Sequence, residues 1–226
     1  MTPIQQLFLG VGASKKTYLD DLFSTFLYKG DDTQGSTINN GIDLSGEGGM
    51  TWIKSRTQTN HHLLYDTLRG AGKPLYPSAD SAEGDNNTQG VVQFNSNGFN
   101  LGSNDNANDG DHNYSSWSFR KAKGFFDIVT YTGNGSNRTI AHSLGSVPGL
   151  IIVKRLNSSR NWTVYHTSVG NQKYLTLNST DDETTSSSRW NNTTPTSSVF
   201  SVGESSSVNA NNDEYVAYLF AGGEST

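Results

Sequence analysis

"GLIIVKRL", Gly149–Leu156, and "GMTWIKSR", Gly49–Arg56, begin one hundred residues apart, and comparing them decides how the chain divides. Sliding the sequence on itself by that offset aligns Gly49–Leu75 with Gly149–Leu175 without a gap. Gly49, Lys54, Tyr65, Thr67, Gly70, Lys73 and Leu75 meet identical residues, seven matches in 27 positions. With small insertions the match extends both ways. "DLFSTFLYKG" (Asp21–Gly30) parallels "GFFDIVTYTG" (Gly124–Gly133), "SNGFNLG" (Ser96–Gly102) parallels "SSVFSVG" (Ser197–Gly203), and "NYSSWSF" (Asn113–Phe119) parallels "EYVAYLF" (Glu214–Phe220). Self-similarity at a fixed period predicts a tandem duplication joined near Lys121–Gly124. The expected division is an arm over residues 1–20, a first unit over 21–122 and a second over 123–226.

Each unit reads as β. "GLIIVKRL" is a short unbroken apolar run, the pattern of a strand covered on both faces. "NWTVYHTS" (Asn161–Ser168) alternates, with Trp162, Val164 and His166 on one side and Thr163, Tyr165 and Thr167 on the other. Asn97-Gly98 between two such runs predicts a hairpin turn at those two residues, because both tolerate positive φ. No amphipathic helix is expected past residue 30. About seven short strands per unit, separated by Gly, Asn and Ser turns, predict an all-β fold of two tandem duplicated β-sandwich, jelly-roll-like units. Two polar stretches, Ser78–Gly90 and Ser179–Ser198, read as long loops.

Composition agrees with this class. The 226 residues carry 10 Tyr, 10 Phe and 4 Trp, which supply large buried areas although the apolar fraction is only 32%. There is no cysteine, so neither disulfides nor thiolate metal sites hold the fold. A net charge of −5 with scattered basic residues argues against a nucleic-acid partner, which needs clustered Lys and Arg. No apolar run reaches the roughly 20 residues that span a bilayer as a helix, so no membrane partner is expected. The start, "MTPIQQLFLGVGASKK", has no basic residue ahead of its apolar patch and reads as an arm in place of a signal peptide.

Catalytic signatures are missing. No G-x-S-x-G elbow occurs. Asp80, Glu83, Asp85 and Asp181–Glu183 sit in polar loops with nothing to aim a carboxylate pair inward. Asp105, Asp109 and Asp111 in "NDNANDGDHN" offer oxygen ligands but miss the spacing of a calcium loop, so an Asx-rich turn is expected and no metal. His61 and His62 are adjacent on an extended segment and point apart, so zinc is not expected either. No cofactor is expected. Among aromatics, Trp162 alternates with Val164 and reads as core, whereas Trp190 in "SSSRWNNTT" and Tyr76 are the candidate glycan contacts.

The segments "TYLDDLFSTFLYKG", "TINNGIDLSGEGGMTWIKSR", "HHLLYDTLRG", "GFFDIVTYTGNGSNRTIAHSLGSVPGLIIVKR" and "YVAYLFAGG" carry a further likeness. The chain resembles virion structural proteins of marine tailed bacteriophages, tail-fibre-like or decoration proteins with concanavalin-like or laminin-G-like sandwich units, over about residues 17–223. That resemblance implies a non-enzymatic virion protein on the particle surface, with other capsid or tail proteins as partners. Only about twenty residues precede the first unit, so a compact decoration, cement or knob protein is expected sooner than a long fibre. Pro3, Ile4, Leu7, Phe8 and Leu9 would form a docking arm on a neighbouring subunit, and a homo-oligomer, a trimer, is the expected assembly. The alternative is a module that recognises host-surface glycan.

Overall fold

The computed structural model describes residues 17–85 and 88–223. The apolar arm residues Pro3, Ile4, Leu7, Phe8 and Leu9 therefore lie outside the described residues. After a 3-10 turn at Leu19–Asp21, the first half runs β1 (Phe23–Lys29), β2 (Ser36–Asn39), β3 (Gly49–Ser55), β4 (Leu63–Asp66), β5 (Val91–Asn95), β6 (Gly98–Leu101), the single-turn helix α1 (Asp105–Asn108) and β7 (Asn113–Arg120). The second half runs β8 (Phe126–Thr132), β9 (Arg138–Ala141), β10 (Pro148–Arg155), β11 (Thr163–His166), β12 (Lys173–Thr176), β13 (Thr184–Thr185), the single-turn helix α2 (Ser187–Trp190), β14 (Val199–Val202) and β15 (Glu214–Ala221). The fold is all-β, and its strand pairs are antiparallel.

The strands form two large and two small sheets. The large sheets are ordered β1-β7-β3-β4 and β8-β15-β10-β11-β12-β13, and the small ones β2-β6-β5 and β9-β14. In each half the small sheet covers one face of the large one, because alternate side chains of both point between them. Ile38, Ile53, Tyr65, Phe99, Leu101 and Tyr114 fill the first of these cores. Ile140, Ile151, Val153, Tyr165, Phe200, Val202 and Tyr215 fill the second.

A third core joins the halves. The opposite faces of the two large sheets pack on each other through Met50, Leu64 and Leu75 from the first half and Phe126, Ile128, Ile152, Trp162, Val164, Val216 and Tyr218 from the second. This explains the unbroken run of β10: Ile151 and Val153 face the second half's own core while Ile152 faces the seam. Each large apolar side chain fully buried there contributes about 1.5–3 kcal/mol that a separated half would forfeit. The layers are thus small sheet, large sheet, large sheet, small sheet.

Local chemistry fixes the ends of the strands in both halves alike. Tyr28 stacks on Tyr114 at 5.2 Å, and Tyr131 on Tyr215 at 5.2 Å. Their hydroxyls donate to backbone carbonyls of the segment before the last strand: Tyr28 to Ala107 and Tyr114 to Asp105, Tyr131 to Val208 and Tyr215 to Ser206. Asn108 and Asn209 occupy matching places, each donating its side-chain amide to three oxygens, including the carbonyl of Gly102 or Gly203. Gly30 and Gly133 follow the first strand of each half. A Cβ on either would stand 2.1 or 2.0 Å from the carbonyl oxygen of Asp109 or Ala210, so only glycine fits.

Two expectations need correction. The β5–β6 hairpin pairs Asn95 with Gly98, so its loop is Ser96-Asn97 and not Asn97-Gly98. Of the latter two, Gly98 alone takes positive φ, at 134°, and a Cβ there would stand 1.9 Å from the carbonyl oxygen of Ile38 on the neighbouring β2, so only glycine fits. The stretch Ser179–Ser198 is not only loop, since it contains β13 and α2. Both helices are one turn long and too short to carry the periodicity by which a helix is recognised in a sequence.

Candidate functional site

The first cleft lies where the halves meet. It encloses about 560 Å³ and is walled by Trp52, His62, Pro77 and Ser78 from the first half and by Leu177, Asn178, Ser179 and Thr180 from the second. Trp52 sits on the seam-facing side of β3, and its indole Nε1 donates to His62 Nδ1 at 3.0 Å. That bond places the imidazole proton on Nε2. Burial, and secondarily the charge of Lys54, pushes His62 below its ordinary pKa, so the ring stays neutral at neutral pH. The 76–80 loop is pinned from both sides. Ser78 Oγ lies 3.1 Å from His61 Nδ1 and accepts the His62 N–H, while Trp162 Nε1 donates to the carbonyls of Tyr76 and Ala79 at 3.0 and 3.1 Å. The result is a positioned indole beside hydroxyl and amide groups, a surface with one apolar face and a hydrogen-bonding rim.

Beside it on the first large sheet, a row of outward side chains passes from buried to exposed among the described residues. Thr25, Trp117, Trp52 and Leu64 are cross-strand neighbours in register on β1, β7, β3 and β4. Leu64 is buried in the seam, Trp52 and Trp117 are half-buried, and Thr25 is exposed. One pleat along β1 from Thr25, Leu27 is 58% exposed. Among the described residues, the second half therefore covers the β3–β4 side of this sheet and leaves the β1 side open.

A buried ionic network bridges the halves elsewhere. Asp66 Oδ2 accepts from Arg69 Nε at 2.6 Å and from the Tyr218 hydroxyl at 2.6 Å, and Arg69 also reaches Glu83 Oε2 at 2.9 Å. Burial alone would push the Arg69 guanidinium down, but Tyr218, Asp66 and Glu83 outweigh it and raise its pKa. Burial pushes Tyr218 well up, so its proton stays on the hydroxyl that Asp66 accepts from. With every charge paired, this is a structural clamp between β4's loop and β15.

The residues singled out from sequence are scattered. Trp190 is 2% exposed, packs in the second core against Tyr165 at 5.8 Å and donates Nε1 to the carbonyl of Lys173. Its expected glycan-contact role is corrected, since no face of the indole is open; the polar residues around it in sequence belong to α2 and its flanks, which turn the ring inward. Tyr76 is half-buried against the first core, with its ring edge-on to His61 at 5.9 Å. Asp105 opens α1, and Asp109 accepts from the Asp111 N–H at 3.0 Å and from Gln58 at 3.1 Å, an Asx turn. Among the described residues no group of three or more His, Asp or Glu is gathered as metal ligands. Likewise, no helix among them is long and apolar enough to cross a membrane.

A family profile described as a domain of unknown function (DUF7483) matches residues 19–225. The chain belongs to the DUF7483 family. No curated protein and no solved structure matches it. The DUF7483 match runs through both halves and the seam between them, so the cleft at Trp52 lies within the family's unit. Sequence reasoning missed Trp52 and His62 as site residues. The available signal was their departure from the repeat, since Ile152 and Trp162 stand one hundred residues further on.

Proposed function

We propose that this DUF7483 chain is a non-enzymatic structural protein of a phage particle, a capsid or tail decoration, cement or knob protein that holds to a neighbouring virion protein. The observation that carries the reading is the uncovered side of the first large sheet, where Leu27 at 58% exposure adjoins the half-buried Trp117 and Trp52. Exposed apolar surface of this kind on an otherwise polar chain marks a protein contact. Tyr18 and Leu19, 64% and 61% exposed on the approach to β1, extend it toward the arm that the sequence reading assigns to docking. A shared order of the first four large-sheet strands, β1-β7-β3-β4 and β8-β15-β10-β11, and like tyrosine and asparagine contacts in both halves support a duplicated building block, a construction that serves adhesion by surface. Particles assembled with a Leu27→Asp variant test this. Loss of the chain from purified particles, with its melting temperature unchanged, is the expected result; a chain that never co-purifies with particles removes the proposal.

A second reading, recognition of neutral glycan, has its own observation in the seam cleft, where the Trp52 ring is held by His62 beside Ser78, Asn178 and Thr180. Aromatic rings with a polar rim suit the apolar face of a sugar. Trp52→Ala is expected to abolish binding to a glycan array, and an array with no signal for the wild-type chain refutes this reading.

A further inference from the structure

A second cleft, of about 290 Å³, opens at the other side of the β11–β12 end and is polar nearly throughout. Its walls include Asp80, Arg160, Asn161, Tyr174, Arg189 and Ser207. Arg189 lies with its guanidinium carbon 4.5 Å from the centroid of the Tyr174 ring, which fixes the plane of the group. Its Nε is shut off from solvent and has no hydrogen-bond partner. Arg160 is exposed at the rim, and its backbone N–H is anchored on the Asp80 carbonyl at 2.8 Å. Among the described residues neither guanidinium stands within 4.0 Å of a carboxylate, although other cations of the chain, Arg69, Lys121, Arg155 and Lys173, are so paired. A third cation, Lys154, is wholly buried and donates to the same Asp80 carbonyl at 3.2 Å.

Two guanidiniums without a carboxylate partner, against the single Asp80 carboxylate in the wall, make this cleft locally positive in a chain of net charge −5. A planar guanidinium presents a fork of donors that matches a carboxylate or sulfate, and stacking on Tyr174 removes the entropy that fork would otherwise lose on binding. The rest of the wall is hydroxyl and amide, with the Asp80 carboxylate as an acceptor at the edge. That combination asks for a ligand bearing one anionic group and several hydroxyls, of about the size of one or two sugar rings.

We propose that the Arg160–Arg189 cleft binds an acidic saccharide, a uronic-acid or sulfated sugar residue, whose anionic group seats between the two guanidiniums. The site is separate from the uncovered sheet face and from the Trp52 cleft, and stands or falls without either.

Calorimetric titration of the purified full chain with a uronic-acid oligosaccharide, a sulfated one, their neutral counterparts and inorganic sulfate tests this. Binding of one or both acidic oligosaccharides, with the neutral ones silent, is expected. Arg189→Gln and Arg160→Gln are each expected to weaken it by about tenfold or more, the size of a lost charge-assisted hydrogen bond. Arg160→Gln serves as the safe variant for folding because the side chain is exposed, and an unchanged melting temperature checks it. Trp52→Ala is expected to leave this affinity unchanged, which separates it from neutral-glycan recognition. Silence of the wild-type chain toward both acidic oligosaccharides at millimolar concentration overturns the proposal. So does acidic-oligosaccharide binding that neither arginine variant weakens, or inorganic sulfate binding as tightly as the sugar.

Discussion

Removing the carboxylate of Asp66 is the perturbation that most directly tests the joint between the halves. Asp66 Oδ1 accepts the backbone N–H groups of Leu68 and Arg69 at 3.0 and 2.9 Å, and Oδ2 accepts from Arg69 Nε and the Tyr218 hydroxyl, both at 2.6 Å. In Asp66→Ala the Leu68 amide can turn to water, because Leu68 is exposed. Arg69 cannot, and keeps only the partly exposed Glu83 as a counter-charge; Tyr218 is buried and loses its acceptor. Breaking one side of a buried pair costs about 3–5 kcal/mol, since a charge is left buried without its partner. For a chain of this length that corresponds to a fall in melting temperature of about 6–20 °C. Thermal and urea unfolding measure it, and a double-mutant cycle with Tyr218→Phe localises it. A coupling of about 1 kcal/mol or more between residues 66 and 218 is expected, because the single change at either end already breaks the shared bond. A loss under 1 kcal/mol, or strict additivity of the two changes, refutes the clamp.

Other consequences are as direct. Gly133→Ala places a methyl group 2.0 Å from the Ala210 carbonyl oxygen, so a loss of about 2 kcal/mol or more is expected by chemical denaturation, whereas alanine at Gly223, which meets nothing within 4 Å, should cost little. Burial lowers the Lys154 pKa from 10.5 to about 8, so between those values the unfolded chain binds the proton and the folded chain does not. Stability should therefore rise with pH from about 8 toward 10, by at most about 3 kcal/mol, and Lys154→Met should flatten that rise. Above pH 10 the sign reverses, because burial raises Tyr28, Tyr131 and Tyr218 well above 10 and only the unfolded chain loses those protons. Residues 17–122 and 123–223 expressed separately should each expose a seam face and self-associate in analytical ultracentrifugation; two soluble, cooperatively folding monomers would contradict the shared core.

The strand faces were legible in the sequence, and the burial explains why. Alternation at Trp162, Val164 and Tyr165 reports two different cores on the two sides of β11, and the unbroken run at Ile151–Val153 reports a strand covered twice. What covers β10 on its second side was not legible, because periodicity tells that a face is buried and not by what. The candidate residues failed for a related reason. Trp190 stands among serines and asparagines, and sequence neighbours say little about burial when a one-turn helix swings a single ring inward. Arg189 and Arg160 were passed over because isolated arginines carry no motif; only the fold brings them together with Tyr174. The hairpin loop lies one residue earlier than Asn97-Gly98 predicts, because Gly98 answers to the close approach of β2, where no Cβ fits, and not to the turn.

The pattern of divergence between the halves locates where new properties arise. Side chains facing the two internal cores correspond closely: Tyr65 and Tyr165, Phe99 and Phe200, Tyr114 and Tyr215, with Tyr28 and Tyr131 stacked upon the last pair. Side chains facing the seam correspond only in part: Leu64 and Val164, Leu75 and Leu175, and Phe119 and Phe220 match, but others do not. Trp52 stands against Ile152, His62 against Trp162, Asp66 against His166 and Arg69 against Val169. Internal positions are constrained twice, by the large sheet and by the small one, so each half must satisfy the same packing problem. The seam faces pack only on each other, and at these four positions unlike groups meet, a donor set beside an acceptor set and a large ring beside a smaller side chain. An asymmetric seam necessarily leaves different openings at its two ends. Among the described residues, Ile152 and Trp162 stand in the second half where Trp52 and His62 wall the cleft, and His166 and Val169 stand where Asp66 and Arg69 form the clamp with Tyr218. A change that restores symmetry, such as Trp52→Ile with His62→Trp, is therefore expected to close the cleft and lose binding there while leaving both internal cores intact.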